Sequence, residues 1–478
     1  MLFNSVEFIV FLPIVFALYW FVANKNLRLQ NALLLVASYF FYGWWDWRFL
    51  SLIAFSSLLD YIIGIQLFKT DDRKKRRLLL LTSVLVNLGF LGFFKYFNFF
   101  AETFAQAFTL LGQPFKAAQL SIILPVGISF YTFQTLSYTI DVYRRKLEPG
   151  KDLIAFFAFV SFFPQLVAGP IERATNLLPQ FYKKRTFDYS NVVDGMRQIL
   201  WGLFKKIVIA DNCAVYANDI FSNYTDYSGS TLMLGAFFFA FQIYGDFSGY
   251  SDIAIGTARL FGFNLMRNFA YPYFSRDIAE FWRRWHISLS SWFRDYVYIP
   301  LGGSRAGKGM IIRNIFIIFL VSGFWHGANW TFLAWGFVNA CYFLPLMLLK
   351  ANRVHTNTVA EGRLLPNLYE LGQMGLTFFL TCIDWVFFRT TSIQEAITYI
   401  GSIFSTSLFE MPEVGEVDLA VLIILFIIAE WIQRDNQHGL QFHGDKIPKA
   451  VRWTIYFGVI MVIAWFRGVQ QSFIYFQF

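Results

Sequence analysis

Apolar segments long enough to cross a membrane recur along the whole chain, and short polar or basic loops separate them. A helix needs about 20 apolar residues to cross the hydrocarbon core, and a spanning segment must satisfy its own backbone hydrogen bonds. The pattern therefore predicts an all-α polytopic membrane protein. We expect spans at residues 6–23, 31–45, 49–68, 78–97, 121–140, 231–249, 311–330, 331–349, 371–388, 419–432 and 453–466.

Three segments do not follow the simple spanning pattern. Residues 153–170 contain two prolines and a glycine, so we expect a break or a re-entrant segment there. Residues 246–263 are too polar for a lipid-facing helix, so Asp246 and Asp252 must face protein or water. Residues 275–295 are amphipathic and too charged to span, which predicts an interfacial or re-entrant helix with a buried aromatic face.

The basic residues give a predicted orientation. The segment DDRKKRR, residues 71–77, follows the third span and is typical of a cytoplasmic loop. Residues 144–146, 183–185 and 205–206 have the same character, which leaves both termini outside. Because this bias accounts for the net charge of +9, we expect no nucleic-acid partner.

The composition excludes several classes of protein. Apolar residues make up 56% of the chain and charged residues 15%, well below the roughly 25% of soluble domains. The three cysteines, Cys213, Cys341 and Cys382, are too far apart in sequence to indicate a metal site or a disulfide framework. GxSxG, HExxH, GxGxxG and Walker patterns are absent. With no internal repeat and no appended soluble domain visible, we expect one membrane domain over residues 1–478, without metal or bound cofactor.

Candidate chemistry concentrates in residues 271–336. His326 is the ionisable residue within an apolar run, in GFWHGANW, and such a residue usually has a partner or a function. His286 lies on a helical stripe of aromatic residues, where simple packing is the alternative to a functional role. His355, His438 and His443 lie in polar loops and are interpreted as surface residues.

Long strings in this region resemble a known family. The strings RDIAEFWRRWHISLSSWFRDYVYIPLGG and SGFWHGANW resemble the bacterial branch of the membrane-bound O-acyltransferases (MBOATs), and so do ILPVGISFYTFQTLSYTIDVYR, SFFPQLVAGPIER and YGDFSGYSDIAIG. The chain is most similar to the membrane subunits that O-acetylate alginate or peptidoglycan. The resemblance implies roughly 11–12 transmembrane helices, re-entrant or interfacial helices around a central tunnel, and a location in the bacterial inner membrane with both termini periplasmic.

The resemblance also implies an activity. Acetyl would move from acetyl-CoA or an acyl-carrier donor in the cytoplasm toward an envelope or secreted polysaccharide, whose identity stays open. His326 matches the histidine regarded as catalytic in the family, a role that suits the ordinary pKa of imidazole, near 6.5. His286 matches a second histidine that lines the site or orients substrate. A periplasmic serine-esterase-like (SGNH) acetyltransferase would be the partner that completes the transfer, and lipid surrounds the protein.

The C-terminal motif FIYFQF, residues 473–478, allows two interpretations. It is suited to an aromatic anchor at the membrane interface. It also resembles the aromatic–tyrosine motif of bacterial MBOAT systems, in which the tyrosine is implicated as an acyl relay. On that resemblance Tyr475 is a catalytic candidate beside His326 and His286.

Further residues are candidates for binding substrate. Arginines could pair with the phosphates of coenzyme A or with an acidic carrier, although a positive inner belt would place arginines in the same positions. The candidates are Asp246, Ser248, Asp252, Arg283, Arg284, Trp285, Arg294, Trp325 and Asn329. The alternative function is a transporter or channel whose conduction path uses Asp246, Asp252 and His326; the absence of a visible inverted repeat argues against it.

Overall fold

The computed structural model describes residues 1–112, 119–167, 169–305, 307–442 and 447–476. These residues form helices and connecting loops, and no β-strand is found among them. The α-helices are α1 (Val6–Ala17), α2 (Leu27–Asp46), α3 (Leu50–Lys69), α4 (Arg73–Leu91), α5 (Phe97–Leu110), α6 (Ile128–Tyr143), α7 (Leu153–Ser161), α8 (Phe163–Leu166), α9 (Ala174–Leu177), α10 (Tyr189–Leu203), α11 (Asp211–Ser222), α12 (Gly229–Leu260), α13 (Ile278–Arg284), α14 (Ile287–Phe293), α15 (Lys308–His326), α16 (Trp330–Leu348), α17 (Leu368–Arg389), α18 (Ile393–Ile403), α19 (Val417–Ile432) and α20 (Lys449–Trp465).

The predicted all-α membrane fold is confirmed. Within the described ranges, five helical stretches are long and apolar enough to cross a membrane, and two of them contain a pair of consecutive helices. They are Leu27–Lys69, Arg73–Leu110, Lys308–His326, Trp330–Leu348 and Leu368–Arg389. Large apolar side chains on α2 to α5 are exposed, as expected of surfaces that face lipid. The protein is a multi-pass membrane protein.

Several predicted boundaries were wrong, and each has a local cause. The span expected at 121–140 begins only at Ile128, because Gly127 adopts a left-handed conformation with φ of 74°. The span expected at 231–249 and the polar segment after it form one helix, α12. The break expected within 153–170 is confirmed, and it lies at Phe162, between α7 and α8. The single amphipathic helix expected at 275–295 is two short helices, because His286 has a φ of 43°.

One compact unit comprises residues 1–193 and 257–266. Aromatic rings fill its core around Phe163, whose centroid lies 5.3 to 5.7 Å from those of Phe11, Phe41 and Phe261. A buried polar network also joins α3 to its neighbours. Asp60 accepts hydrogen bonds from Ser83 on α4, from Asn87 on α4 and from Thr139 on α6.

The other compact unit comprises residues 194–256 and 267–478, of which the tail is described to residue 476. Its core is a column of buried tryptophans, in which Trp385 lies 5.0 Å from Trp285 and 5.9 Å from Trp335 between ring centroids. Helices α15 and α16 form a hairpin beside this column. The single domain expected over residues 1–478 stays a prediction.

Candidate active site

His326 is the last residue of α15 and is almost fully buried. The chain turns after it because α15 and α16 approach very closely at two glycines. A Cβ atom on Gly323 would lie 2.1 Å from the carbonyl oxygen of Phe332, and one on Gly327 would lie 1.9 Å from the ring of Phe332. Glycine at both positions therefore permits the tight hairpin that sets the position of His326.

Aromatic rings surround the imidazole of His326. The centroids of Trp325, Trp335 and Phe388 lie 5.0, 5.2 and 5.3 Å from it. The ring of Tyr475, from the C-terminal tail, lies 5.7 Å away. This apolar wall lowers the local dielectric, and it would strengthen any interaction with a charge that develops beside the imidazole.

His286 is the second histidine of the site, with its ring centroid 6.4 Å from that of His326. Its Nδ1 lies 3.0 Å from Oδ1 of Asn268. Because an amide oxygen only accepts, Nδ1 carries the proton and Nε2 carries the lone pair. His286 lies outside the membrane-spanning helices, and burial lowers its pKa to about 3. The imidazole is therefore neutral near pH 7, and its Nε2 has no hydrogen-bond partner among the described residues.

Asn268 is a site residue that the sequence analysis missed. It is fully buried, donates from Nδ2 to Oγ of Ser251 at 3.0 Å, and accepts from Oγ of Ser288 at 2.8 Å. These contacts fix which side of the amide faces His286, and so fix the histidine tautomer. The sequence feature that could have indicated Asn268 is a polar residue in RNFAYPYF, directly before the amphipathic segment at residues 275–295.

Tyr475 is half-buried in a short 3₁₀ turn, Ile474–Phe476, near the end of the chain. Its ring lies 4.5 Å from that of Phe247, and Phe247 also lies 4.6 Å from His286. Desolvation raises the pKa of the Tyr475 phenol well above its usual range, so the phenol is protonated near pH 7. The structure thus brings Tyr475, His326 and His286 into one aromatic cluster.

A buried charge cluster on the preceding helices holds the tail in place. Lys206 forms ion pairs with Asp211 at 2.8 Å and with Asp246 at 2.7 Å. It also donates to the carbonyl oxygen of Gln471 at 3.1 Å, while Asp246 accepts from the N–H of Ile474 at 2.6 Å. Asp246, predicted as a substrate contact, therefore contacts the tail.

Lys205 and Lys206, predicted as cytoplasmic residues from their charge, do not lie in an exposed loop. Both are buried within a π-helical stretch, Phe204–Ala210. Lys205 pairs with Asp252, which also accepts from Nε2 of Gln198 at 2.8 Å. Apolar residues on both sides of the two lysines, and carboxylates available on α11 and α12, were the signals for burial.

The arginines of residues 275–295 mostly have protein partners. Glu280 pairs with Arg276 at 3.0 Å and with Arg284 at 2.8 Å, and these pairs lie in the interior because Glu280 is buried. Arg283 donates to the backbone carbonyls of residues 352 and 355. Arg294 is exposed and pairs with the neighbouring Asp295.

The remaining candidates have structural contacts of their own. Ser248 donates to the carbonyl oxygen of Tyr244 at 2.6 Å. Asn329 caps α16 by accepting from the N–H of Thr331 at 3.0 Å. Trp285 belongs to the tryptophan column, and Trp325 packs directly on His326.

The three histidines predicted at the surface differ from one another. His438 is buried, and its Nε2 lies 3.1 Å from Oδ1 of Asp194, so its surface prediction was wrong. His438 can be buried because the carboxylate of Asp194, on α10 and far away in sequence, is its hydrogen-bond partner. His355 is half-buried, and His443 lies outside the described residues. In the part of the chain that the structure describes, no group of three or more His, Cys, Asp or Glu side chains could hold a metal ion.

Known proteins align with most of the chain. Residues 147–368 match the MBOAT, membrane-bound O-acyltransferase, family. A "probable alginate O-acetylase AlgI" of Pseudomonas syringae pv. tomato is 40% identical over 435 residues, which cover 90% of this chain and 80% of that protein. The chain belongs to the membrane-bound O-acyltransferase family. It is therefore an O-acyltransferase.

Other relatives act on different polymers according to their names. A peptidoglycan O-acetyltransferase of Helicobacter pylori is 35% identical over 426 residues, covering 83% of this chain and 78% of the relative. A teichoic acid D-alanyltransferase of Bacillus subtilis is 29% identical over 237 residues, covering 46% of this chain and 60% of the relative. By their names, these relatives share acyl transfer and differ in the polymer, which is alginate, peptidoglycan or teichoic acid.

Proposed function

We propose that this protein moves an acetyl group from a cytoplasmic thioester donor toward O-acetylation of an envelope or secreted polysaccharide. The observation that carries the proposal is the pairing of His326 with Tyr475, 5.7 Å apart between ring centroids, inside the aromatic cluster. The names of the relatives support acetyl as the group and alginate or peptidoglycan as the class of acceptor.

The first step is acetylation of Tyr475. His326 removes the phenolic proton while the phenolic oxygen attacks the thioester carbonyl carbon. The carbon–sulfur bond then breaks, the thiolate leaves and takes up the proton from His326, and Tyr475 is left as an acetyl ester. Because its pKa is raised, the phenol needs such a base to act as a nucleophile near pH 7. A covalent relay divides one difficult transfer into two easier ones.

His286 acts as a positioning residue in this scheme. Asn268 keeps the lone pair on Nε2, which then accepts a hydrogen bond from a donor group on the substrate or from water. A charged imidazolium at this place would be unfavourable in such an apolar site, which agrees with the low pKa of His286.

The donor is acetyl-CoA or an acyl-carrier protein. An apolar cavity of about 190 Å³ is lined by Ser322, one turn before His326 on α15, and by Arg294. Arg294 lines this cavity with an exposed side chain, so it is placed to pair with a donor phosphate. The thioester would then approach His326 along α15.

The second step is outside the cytoplasm. A periplasmic serine-esterase-like (SGNH) partner takes the acetyl group from Tyr475 and passes it to the polysaccharide. This requires a location in the bacterial inner membrane with the C-terminal tail on the periplasmic side, which is the orientation that the basic loops predict. The donor itself never crosses the membrane.

The experiment uses the purified full-length protein and acetyl-CoA labelled in the acetyl group. Wild type should retain covalent label, and both His326→Ala and Tyr475→Phe should lose it. His355→Ala and Tyr369→Phe are matched controls because each removes the same groups outside the aromatic cluster. Label retained on Tyr475→Phe would overturn the relay, and label retained on His326→Ala would overturn the base.

The same experiment is repeated with an acetylated acyl-carrier protein. Label from the carrier alone would assign the donor as a carrier and leave the roles of His326 and Tyr475 unchanged.

A transporter function has no supporting observation, since Asp246 and Asp252 already pair with Lys206 and Lys205.

A further inference from the structure

The compact unit formed by residues 1–193 and 257–266 contains a basic cavity of about 610 Å³. Four basic side chains line it, Lys183, Lys184, Arg185 and Arg259, against one acidic side chain, Asp188. Amide side chains complete the lining at Asn176, Gln180, Asn191 and Asn264. The wall is therefore strongly positive and rich in hydrogen-bond donors.

The buried member of this lining is Arg185, which is 7% exposed. Its guanidinium donates to Oδ1 of Asn31 at 2.6 Å and to the carbonyl oxygen of Gln180 at 3.3 Å. The Nε of Arg185 has no hydrogen-bond partner among the described residues. No carboxylate of the described residues forms an ion pair with the Arg185 guanidinium. A buried cation without a counter-charge is costly, so an anion in the cavity would stabilise it.

Asp188, the acidic side chain among the described residues of the cavity wall, does not supply that anion. Asp188 caps the start of α10, where its Oδ1 accepts from the N–H of Ser190 at 2.9 Å and from that of Asn191 at 3.3 Å. Both of its oxygens also accept side-chain hydrogen bonds from these two residues. The ring of Phe263 lies 4.8 Å from the guanidinium of Arg185, and a cation–π contact offsets only part of the cost of burial.

The remaining wall is preorganised. Gln180 and Asn264 exchange two hydrogen bonds, of 2.9 and 2.8 Å, which fasten the segment after α9 to the segment after α12. Lys183 and Lys184 extend from this fastened segment and are exposed. A ligand would therefore meet one buried guanidinium and two exposed ammonium groups.

We propose that this cavity binds a phosphate-bearing anion, either the phosphodiester of an anionic membrane phospholipid or a soluble phosphate. Phosphate oxygens accept charge-assisted hydrogen bonds from guanidinium and ammonium groups. Basic pockets at the cytoplasmic ends of membrane helices are suited to lipid headgroups. The site is separate from the aromatic cluster and does not depend on acyl transfer.

The test measures ligand-dependent thermal stability of the delipidated full-length protein in detergent. The probes are dioctanoyl-phosphatidylglycerol, dioctanoyl-phosphatidylcholine and inorganic pyrophosphate. Wild type should be stabilised by at least one of the two anions and not by the zwitterionic lipid. Stabilisation by phosphatidylglycerol alone assigns the site to a lipid headgroup, and stabilisation by pyrophosphate assigns it to a soluble phosphate. No response to either anion would overturn the proposal.

The variant that locates the site is Lys183→Gln/Lys184→Gln. Its matched control is Lys74→Gln/Lys75→Gln, which removes the same charge from exposed positions on α4 outside the cavity. We expect the apparent Kd of the stabilising anion to rise at least tenfold in the first double variant and to stay near wild type in the control. Equal weakening in both would mean general charge attraction and would overturn the proposed site.

A third variant tests the buried charge itself. Arg185→Gln should abolish the response to the anion, whereas Arg185→Lys should retain part of it. If Arg185→Gln does not fold, since Arg185 also holds Asn31, the lysine double variant still decides the proposal. A folded Arg185→Gln protein with the wild-type response would contradict it.

Discussion

Asp246 accepts a hydrogen bond of 2.6 Å from the backbone N–H of Ile474, the residue directly before Tyr475. The two residues are 228 positions apart in the chain. The other oxygen of Asp246 pairs with Lys206, which in turn donates to the carbonyl oxygen of Gln471. The backbone that carries the proposed acyl acceptor is therefore fixed at two points by buried charged side chains.

Replacing Asp246 with alanine should release the tail. The variant loses the acceptor for the Ile474 amide and half of the charge that compensates Lys206, and breaking a buried pair in this way typically costs about 3–5 kcal/mol. We expect faster hydrogen–deuterium exchange in the C-terminal peptide and a loss of acetyl label on Tyr475. Mass spectrometry of exchange and of label on the same preparation would measure both.

The neighbouring ion pair provides the control for this prediction. Asp252→Ala removes a carboxylate from the same helix and leaves Lys205 without its ion-pair partner, yet among the described residues no hydrogen bond or ion pair joins this pair to the tail. Its C-terminal peptide should exchange at the wild-type rate even if overall stability falls. Equal acceleration in both variants would show that the tail responds to general destabilisation and is not held by Asp246.

Replacing Asn268 with aspartate should make the activity sensitive to acid. A carboxylate beside Nδ1 favours the charged imidazolium and would raise the pKa of His286 from about 3 by about 1 to 3. Protonation then removes the lone pair of Nε2 over a range in which wild type keeps it. The acidic limb of the pH–rate profile should therefore move to higher pH.

The measurement is the rate of acetyl labelling between pH 4.5 and pH 8. Ser288→Ala is the comparison, because it removes a donor to Asn268 without adding a charge. We expect its acidic limb to stay where wild type has it. An unchanged profile in Asn268→Asp would mean that the protonation of His286 does not affect the rate.

Local patterns were sufficient to predict much of the site. The apolar run around His326 and the aromatic stripe that contains His286 marked the two histidines before any contact was known. The same apolar patterns located most membrane helices, because the length that a membrane requires is visible along one segment. Features that depend on one segment at a time were therefore predictable.

Contacts between distant segments were not predictable in this way. Lys206 was interpreted as a loop residue because basic residues usually mark the cytoplasmic side, while its carboxylate partners on α11 and α12 become visible only in the fold. His438 was predicted at the surface because it lies in a polar segment, while its partner Asp194 is 244 residues away in the chain. The break at His286 was missed because helical periodicity gives no sign of a positive φ in a histidine.

Removing the carboxylate of Glu280 should destabilise the protein far more than removing a surface carboxylate from the same segment, residues 275–295. Glu280 accepts from both Arg276 and Arg284 in a buried setting, so Glu280→Ala would take this carboxylate from both arginines and leave Arg276 with a longer contact of 3.9 Å to Glu370. The expected cost is about 3–5 kcal/mol. Asp295→Ala breaks the exposed pair with Arg294 and should cost under about 1 kcal/mol. Thermal melting of both variants in detergent would compare them, and equal melting temperatures would contradict the assignment of Glu280 as a buried anchor.

Adding a methyl group at Gly323 should displace His326 without touching its side chain. The new Cβ would lie 2.1 Å from the carbonyl oxygen of Phe332, a backbone atom that cannot move without shifting α16. Because α16 carries Trp335 against His326, the shift would change the surroundings of the imidazole. We expect a loss of stability of about 1–3 kcal/mol, as for other overpacked sites, and a loss of acetyl labelling. Gly309→Ala, on the same helix with no atom within 4 Å of its new Cβ, should retain both stability and labelling.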